Sequence, residues 1–149
     1  MKCAECGADM PGEETCLDRF HTLLGAEYHS PEALEMHGLT VLTFHLQHPS
    51  LTKPWYQAYG CEFMRRIFGE GREGEDWLEV LTKGGMQARQ AKVTRWKASY
   101  GTEMPPEIVT QPVPGEMTVA DIDPEAPPGH RERVLAWAGS VAQGRVLKR

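Results

Sequence analysis

The stretch His37-Gly38-Leu39-Thr40-Val41-Leu42-Thr43-Phe44-His45-Leu46-Gln47-His48-Pro49 decides the fold, because it reads either as a strand or as a central helix. Thr40, Val41 and Thr43 are β-branched, and Gly38 weakens a helix by about 1 kcal/mol, so a strand from Leu39 to Leu46 has some support. A half-buried strand alternates with a period of two, however. Here Val41 and Leu42 are adjacent, and His45 would share a face with Val41. The segment therefore reads as helix. Ser30-Pro31-Glu32 begins it with a cap, a proline in the first turn and an acid. Pro49 ends it at about His48, since the residue before a proline avoids the helical region.

Upstream, residues 1–14 hold Cys3, Cys6, two glycines and a proline, and read as a loop or knuckle. Thr15 is an N-cap with Asp18 as a capping-box partner, opening a helix to about Tyr28 with Leu17, Phe20, Leu23 and Leu24 on one face. Downstream, Pro54 opens a helix to about Phe68. Trp55, Tyr59, Phe63 and Ile67 recur along it every four residues, as a core stripe does. Asp76 caps a short helix carrying Trp77, Leu78 and Leu81, and another helix follows from Met86 to Tyr100 with Met86, Val93, Trp96 and Tyr100 inward. Residues 102–129 hold seven of the eleven prolines and read as an extended arm, with one helical turn at Thr118-Val119-Ala120-Asp121. The last helix spans roughly His130 to Gln143, with Val134, Trp137, Ala138 and Val141 inward. The expected fold is mainly α, a small helical bundle with an N-terminal zinc knuckle and a proline-rich extended arm before the last helix. It forms a single domain over 1–149: knuckle 1–14, helical core 15–100, arm 102–129 and C-terminal helix 130–143.

Three of the four cysteines and five of the six histidines lie in the first 48 residues. Cys3-x-x-Cys6-Gly7 lets two thiolates from one tight turn bind a single tetrahedral ion, and Cys16 adds a third. Helix geometry selects the fourth ligand. If the first two helices pack antiparallel, Cys16 begins one and His48 ends the other, at the same end as the knuckle. His45 is one turn earlier, about 4.5 Å along the axis, and is the reserve ligand. His21 is over a turn inside the first helix from Cys16, a weaker candidate. His37 lies eleven residues before His48, about 16 Å away, and cannot share its ion. The assignment is Cys3, Cys6, Cys16 and His48 around a zinc ion, a saturated set that reads as structural. Without a metal, Cys16 would be a buried helix residue, His48 a satisfied helix end, and Cys3 and Cys6 reduced surface thiols. A thioredoxin-like redox pair would need a strand before the motif, and none precedes it. Cys61, between Tyr59 and Phe63, reads as a buried thiol.

The same pairing sets Glu27 at the far end, close to His37 and His29, where a carboxylate and imidazoles could bind a second ion or move protons. No H-E-x-x-H, phosphate-cradling glycine loop or G-x-S-x-G elbow accompanies them, so these residues read first as solvated or turn-filling groups.

The composition is that of an ordinary soluble globular chain, 40% hydrophobic and 25% charged, with no apolar run of the roughly 20 residues that span a bilayer. The opening Met1-Lys2-Cys3-Ala4-Glu5 lacks the apolar stretch of a secretory signal, so the expected location is the cytoplasm, with thiols reduced. A net charge of −5 argues against non-specific nucleic-acid binding by the whole surface. The charge is uneven: from Lys83 to Tyr100 there are five basic residues and no acidic ones, and from Thr102 to Gly129 six acidic and no basic ones. The two blocks neutralise one another in the fold, or the basic helix with Lys83, Arg89, Lys92, Arg95, Lys97 and Trp96 is a docking face for a protein or nucleic acid.

Cys3-x-x-Cys6-Gly7-Ala8, His37-Gly38-Leu39-Thr40-Val41, Leu46-Gln47-His48-Pro49, Thr118-Val119-Ala120-Asp121 and Trp137-Ala138 together resemble a family of uncharacterised bacterial proteins known only as a domain of unknown function. The resemblance implies a bacterial, cytoplasmic, metal-binding protein in which the Cys3, Cys6, His37 and His48 positions belong to the family pattern. It supplies no activity. The leading expectation is a zinc-stabilised binding or regulatory module. The alternative is a metal-dependent, hydrolase-like enzyme using His37 and Glu27. The oligomeric state is left open, since core burial explains Trp77 and Trp137 as well as a dimer face does.

Overall fold

A computed structural model describes residues 2–52, 54–69, 78–79, 82, 116–125 and 128–145. The protein is mainly helical. Its elements are α1 (Cys16–Glu27), α2 (Pro31–Leu34), α3 (His37–Gln47), a 3-10 turn (Pro49–Leu51), α4 (Pro54–Phe68), a second 3-10 turn (Val119–Asp121) and α5 (His130–Arg145).

Local chemistry sets most of these boundaries. The Thr15 hydroxyl accepts from Asp18 N–H while the Asp18 carboxylate accepts from Thr15 N–H, closing a capping box at α1. Ser30 caps α2 with Pro31 in its first turn. Thr118 and Asp121 repeat the capping box around the turn at Val119–Asp121. The deciding stretch is helical. It ends at Gln47, and His48 caps it with φ −129° before Pro49 starts the 3-10 turn.

Two expectations are corrected. The run from Pro31 to His48 is not one helix, because Glu35 and Met36 turn between α2 and α3. Met36 is fully buried there, and the turn aims His37 back at α1. In α1, Leu17 is 38% exposed, and the buried stripe is Cys16, Phe20, Leu23 and Glu27. That stripe has helical spacing, but it begins on a thiol and ends on a buried carboxylate.

Helix α3 is the centre of the packing, lying against α1, α4 and α5. Its Leu39, Phe44 and Leu46 are buried with Leu23, Met64, Val134, Trp137 and Val141 in one core. Phe63, Ile67 and Cys61 of α4 face the same core, and Ala138 of α5 joins them. Gly60 lets α3 and α4 approach closely: a Cβ there would lie 2.9 Å from side-chain carbons of both Leu42 and Leu46. Gln47 uses both ends of its amide, accepting from Trp137 Nε1–H at 3.0 Å and donating to the Met117 carbonyl at 3.0 Å. One side chain thus joins α3, α5 and the segment before the second 3-10 turn, with both ends of its own amide paired.

The side chains of Trp55 and Tyr59 lie outside the described residues, as do the helix expected from Met86 to Tyr100 and most of the proline-rich arm. In the short helix expected after Asp76, the described Leu78, Glu79 and Thr82 are helical, and the Thr82 hydroxyl donates to the Leu78 carbonyl at 2.8 Å.

Candidate metal centre

The knuckle is a tight reverse turn. Cys3 N–H donates to the Ala8 carbonyl at 2.7 Å, Gly7 N–H donates to the Cys3 carbonyl at 3.0 Å, and Lys2 pairs with Asp9 as an isolated antiparallel bridge. Gly7 has φ +84°, a conformation that side chains with a Cβ rarely adopt. Past that glycine, Ala8 N–H points at the Cys6 sulfur, 3.4 Å away. Glu5 ties the knuckle to the far side of the site, accepting from Ser50 N–H at 2.9 Å.

Cys16 opens α1 and His48 closes α3, and the antiparallel pairing of these helices sets both beside the knuckle. The Sγ atoms of Cys6 and Cys16 are 3.5 Å apart, and Cys3 Sγ is 3.7 Å from His48 Nε2. All four ligand atoms lie within 4.8 Å of one another, so the group could hold a metal ion. A tetrahedral ion at about 2.3 Å from sulfur and about 2.0 Å from nitrogen requires separations of about 3.5–3.8 Å between its ligands. The Cys6–Cys16 and Cys3–His48 separations already meet that requirement.

The orientation of His48 is fixed from behind. Its Nδ1 lies 2.7 Å from the Phe44 carbonyl, which can only accept, so Nδ1 carries the proton and Nε2 presents its lone pair to the sulfurs. Phe44 stacks on the imidazole at 4.1 Å between ring centres, and Phe20 stacks on Phe44 at 3.9 Å. Burial pushes the His48 pKa down, keeping the ring neutral as a ligand must be. Burial also pushes the Cys6 and Cys16 thiols up. At Cys3 desolvation acts in the same sense but is outweighed by hydrogen bonds, first from the backbone of Cys6 and Glu5, and its pKa is lowered. A divalent cation among the sulfurs would override burial and hold them as thiolates.

The other histidines are elsewhere. His45 Nδ1 pairs with Thr52 Oγ1 at 2.8 Å, and His21 is exposed. His37 is at the opposite end of α3, where Glu27 is fully buried. Glu27 Oε1 lies 3.1 Å from His37 Nδ1, and Oε2 accepts from Thr40 Oγ1 at 2.6 Å and lies 2.7 Å from His130 Nε2. This carboxylate sits at the first turns of both α3 and α5, where a helix dipole favours negative charge. The expected approach of Glu27 and His37 is present, but the second imidazole belongs to His130 and not to the exposed His29. Nothing in the sequence around His130 signals that contact, which joins residues 103 positions apart. Among the described residues, the Cys3, Cys6, Cys16 and His48 group is the one whose Cys, His, Asp or Glu ligand atoms converge closely enough for an ion.

These features define a mainly helical protein with three cysteines and one histidine gathered at one end of its bundle. The chain belongs to the family of unknown function DUF5946, whose model matches residues 1–145. Neither a curated protein nor a solved structure matches it. Among the described residues, no helix is long and apolar enough to cross a membrane.

Proposed function

We propose that Cys3, Cys6, Cys16 and His48 bind zinc, that this zinc is mainly structural, and that the protein works in the cytoplasm as a small binding or regulatory module. The observation that carries the reading is the convergence of four soft and borderline donors from three separate elements, within 4.8 Å of one another. Zinc supplies a cross-link there. It would add to the apolar contact that Ala8 and Met10 of the knuckle, Phe20 of α1 and Phe44 of α3 already make in the shared core. Four protein ligands saturate a tetrahedral ion and leave no position for a substrate. The candidate contact with a partner is the basic stretch from Lys83 to Tyr100, which lies outside the described residues. Binding of nucleic acid through it would weaken steeply between low and moderate salt, whereas a protein contact need not. Elemental analysis of the purified protein tests the central part. One zinc per chain, with a melting temperature that falls on chelation, supports it. Absence of zinc, or melting indifferent to chelator, contradicts it.

A second reading, a hydrolase-like enzyme, is favoured by the contact of buried Glu27 with His37, which is partly exposed. A carboxylate behind an imidazole orients it for proton transfer. On that reading His37→Ala abolishes a turnover while folding and zinc content stay unchanged.

A further inference from the structure

Three of the four donors are sealed from solvent: Cys6, Cys16 and His48 are 1%, 6% and 2% exposed. Cys3 is not. It is half-buried and lines, beside the almost wholly covered Cys6, an open cleft of about 690 Å³ whose walls include Lys2, Asp9, Glu116 and Asp121. We propose that Cys3 is the point at which a small neutral oxidant of the peroxide class modifies this centre, and that Cys6 or Cys16 then captures it as a disulfide. The proposal rests on the zinc reading above, under which the sulfurs are thiolates and so nucleophilic.

The chemistry balances in two steps. The Cys3 sulfur lone pair attacks one oxygen of hydrogen peroxide, forming an S–O bond and breaking the O–O bond; the hydroxide released takes up a proton to become water. The sulfur of Cys6 or Cys16 then attacks Cys3 Sγ, forming the S–S bond and expelling hydroxide, which is also protonated. Two thiolates lose two electrons, and one peroxide becomes two waters. The three sulfurs lie within 4.8 Å of one another, so capture needs a closing movement of less than about 3 Å to reach a bond of about 2.0 Å. With two donors consumed, the remaining cysteine and His48 cannot saturate the ion.

The cleft also selects the oxidant. Its walls carry three acidic residues, Asp9, Glu116 and Asp121, against one basic residue, Lys2, a balance that disfavours anions such as oxidised glutathione and leaves a neutral peroxide unhindered.

The test uses the full chain, with its zinc content measured beforehand. Hydrogen peroxide is added while a chromogenic chelator reports zinc release, and mass spectrometry maps the sulfurs. Release accompanied by a Cys3–Cys6 or Cys3–Cys16 disulfide is expected, at least about tenfold faster than with oxidised glutathione at equal concentration. A Cys6–Cys16 disulfide that spares Cys3, retention of zinc with all thiols intact, or equal rates with the two oxidants overturns the proposal. A short pulse of iodoacetamide should alkylate Cys3 before Cys6 and Cys16; the reverse order also overturns it. A chain that holds no zinc at the outset contradicts the zinc reading instead, and the same pulse on that protein still decides whether Cys3 is the first sulfur modified.

Discussion

The Phe44 carbonyl lies 2.7 Å from His48 Nδ1, one helical turn further on, and so commits the opposite nitrogen, Nε2, to the three cysteine sulfurs. Pre-orientation of this kind is typical of histidines that bind metal, and mutation of the group behind the ring often costs 10- to 100-fold in affinity, on the order of 1–3 kcal/mol. Loss of the ring itself should cost more. His48→Ala is expected to weaken zinc binding by more than about 100-fold and to lower the melting temperature, whereas His48→Cys should keep the ion in a four-sulfur site. A competition titration against a chelator of known affinity measures both. Unchanged affinity in His48→Ala would remove His48 from the centre.

Glu27 is expected to matter for folding and not for zinc. Glu27→Ala leaves the Thr40 hydroxyl and the His130 ring buried without their acceptor, at a cost of about 2–4 kcal/mol. The lesion sits at the far end of α3, about 16 Å from His48 at 1.5 Å per residue. Urea unfolding together with zinc analysis separates the two effects. Loss of zinc from a Glu27→Ala protein that remains folded would contradict this division.

The histidines give stability a defined dependence on pH. His45 and His48 both have their pKa lowered from the ordinary 6.5 by burial, with the neighbouring His48 also acting on His45. Each is neutral in the fold and takes up a proton more readily once unfolded. Their contribution is therefore fully present above pH 6.5 and is lost as pH falls from there towards the lowered folded values. Zinc binding adds to the trend in the same direction, because acid also competes for the thiolates. Thermal melts across pH 5 to 8 should show stability falling on the acid side, more steeply with zinc than after chelation. A flat profile would contradict neutral imidazoles, His48 buried and His45 partly so.

Gln47 offers a check on the packing alone. Gln47→Ala removes the partner of Trp137 Nε1 and of the Met117 carbonyl together, and should destabilise by about 1–3 kcal/mol with zinc retained. Denaturant titration measures the loss. A change below about 0.5 kcal/mol would show that water replaces the amide at little cost.

Much of this architecture was legible because it is written locally. The caps at Thr15 and Ser30, the helical turn at Thr118-Val119-Ala120-Asp121, the stop at Pro49 and the apolar face of α5 are decided within a few residues. The meeting of Cys16 with His48 followed from helix rise and one short connection. What escaped was set by distant contacts or hidden by polar residues. The stripe of α1 runs through Cys16 and not Leu17, and it ends on Glu27, a buried carboxylate that an apolar pattern does not count. The turn at Glu35 and Met36 carries neither proline nor glycine to announce it. The contact of His130 with Glu27 spans 103 positions and has no local signature.

The centre itself is tested most directly by X-ray absorption at the zinc edge of the purified protein. The account predicts one zinc per chain with three sulfurs at about 2.3 Å and one nitrogen at about 2.0 Å, and loss of the nitrogen in His48→Cys. A shell of oxygens and nitrogens, four sulfurs in the unmutated protein, or no zinc at all would contradict it.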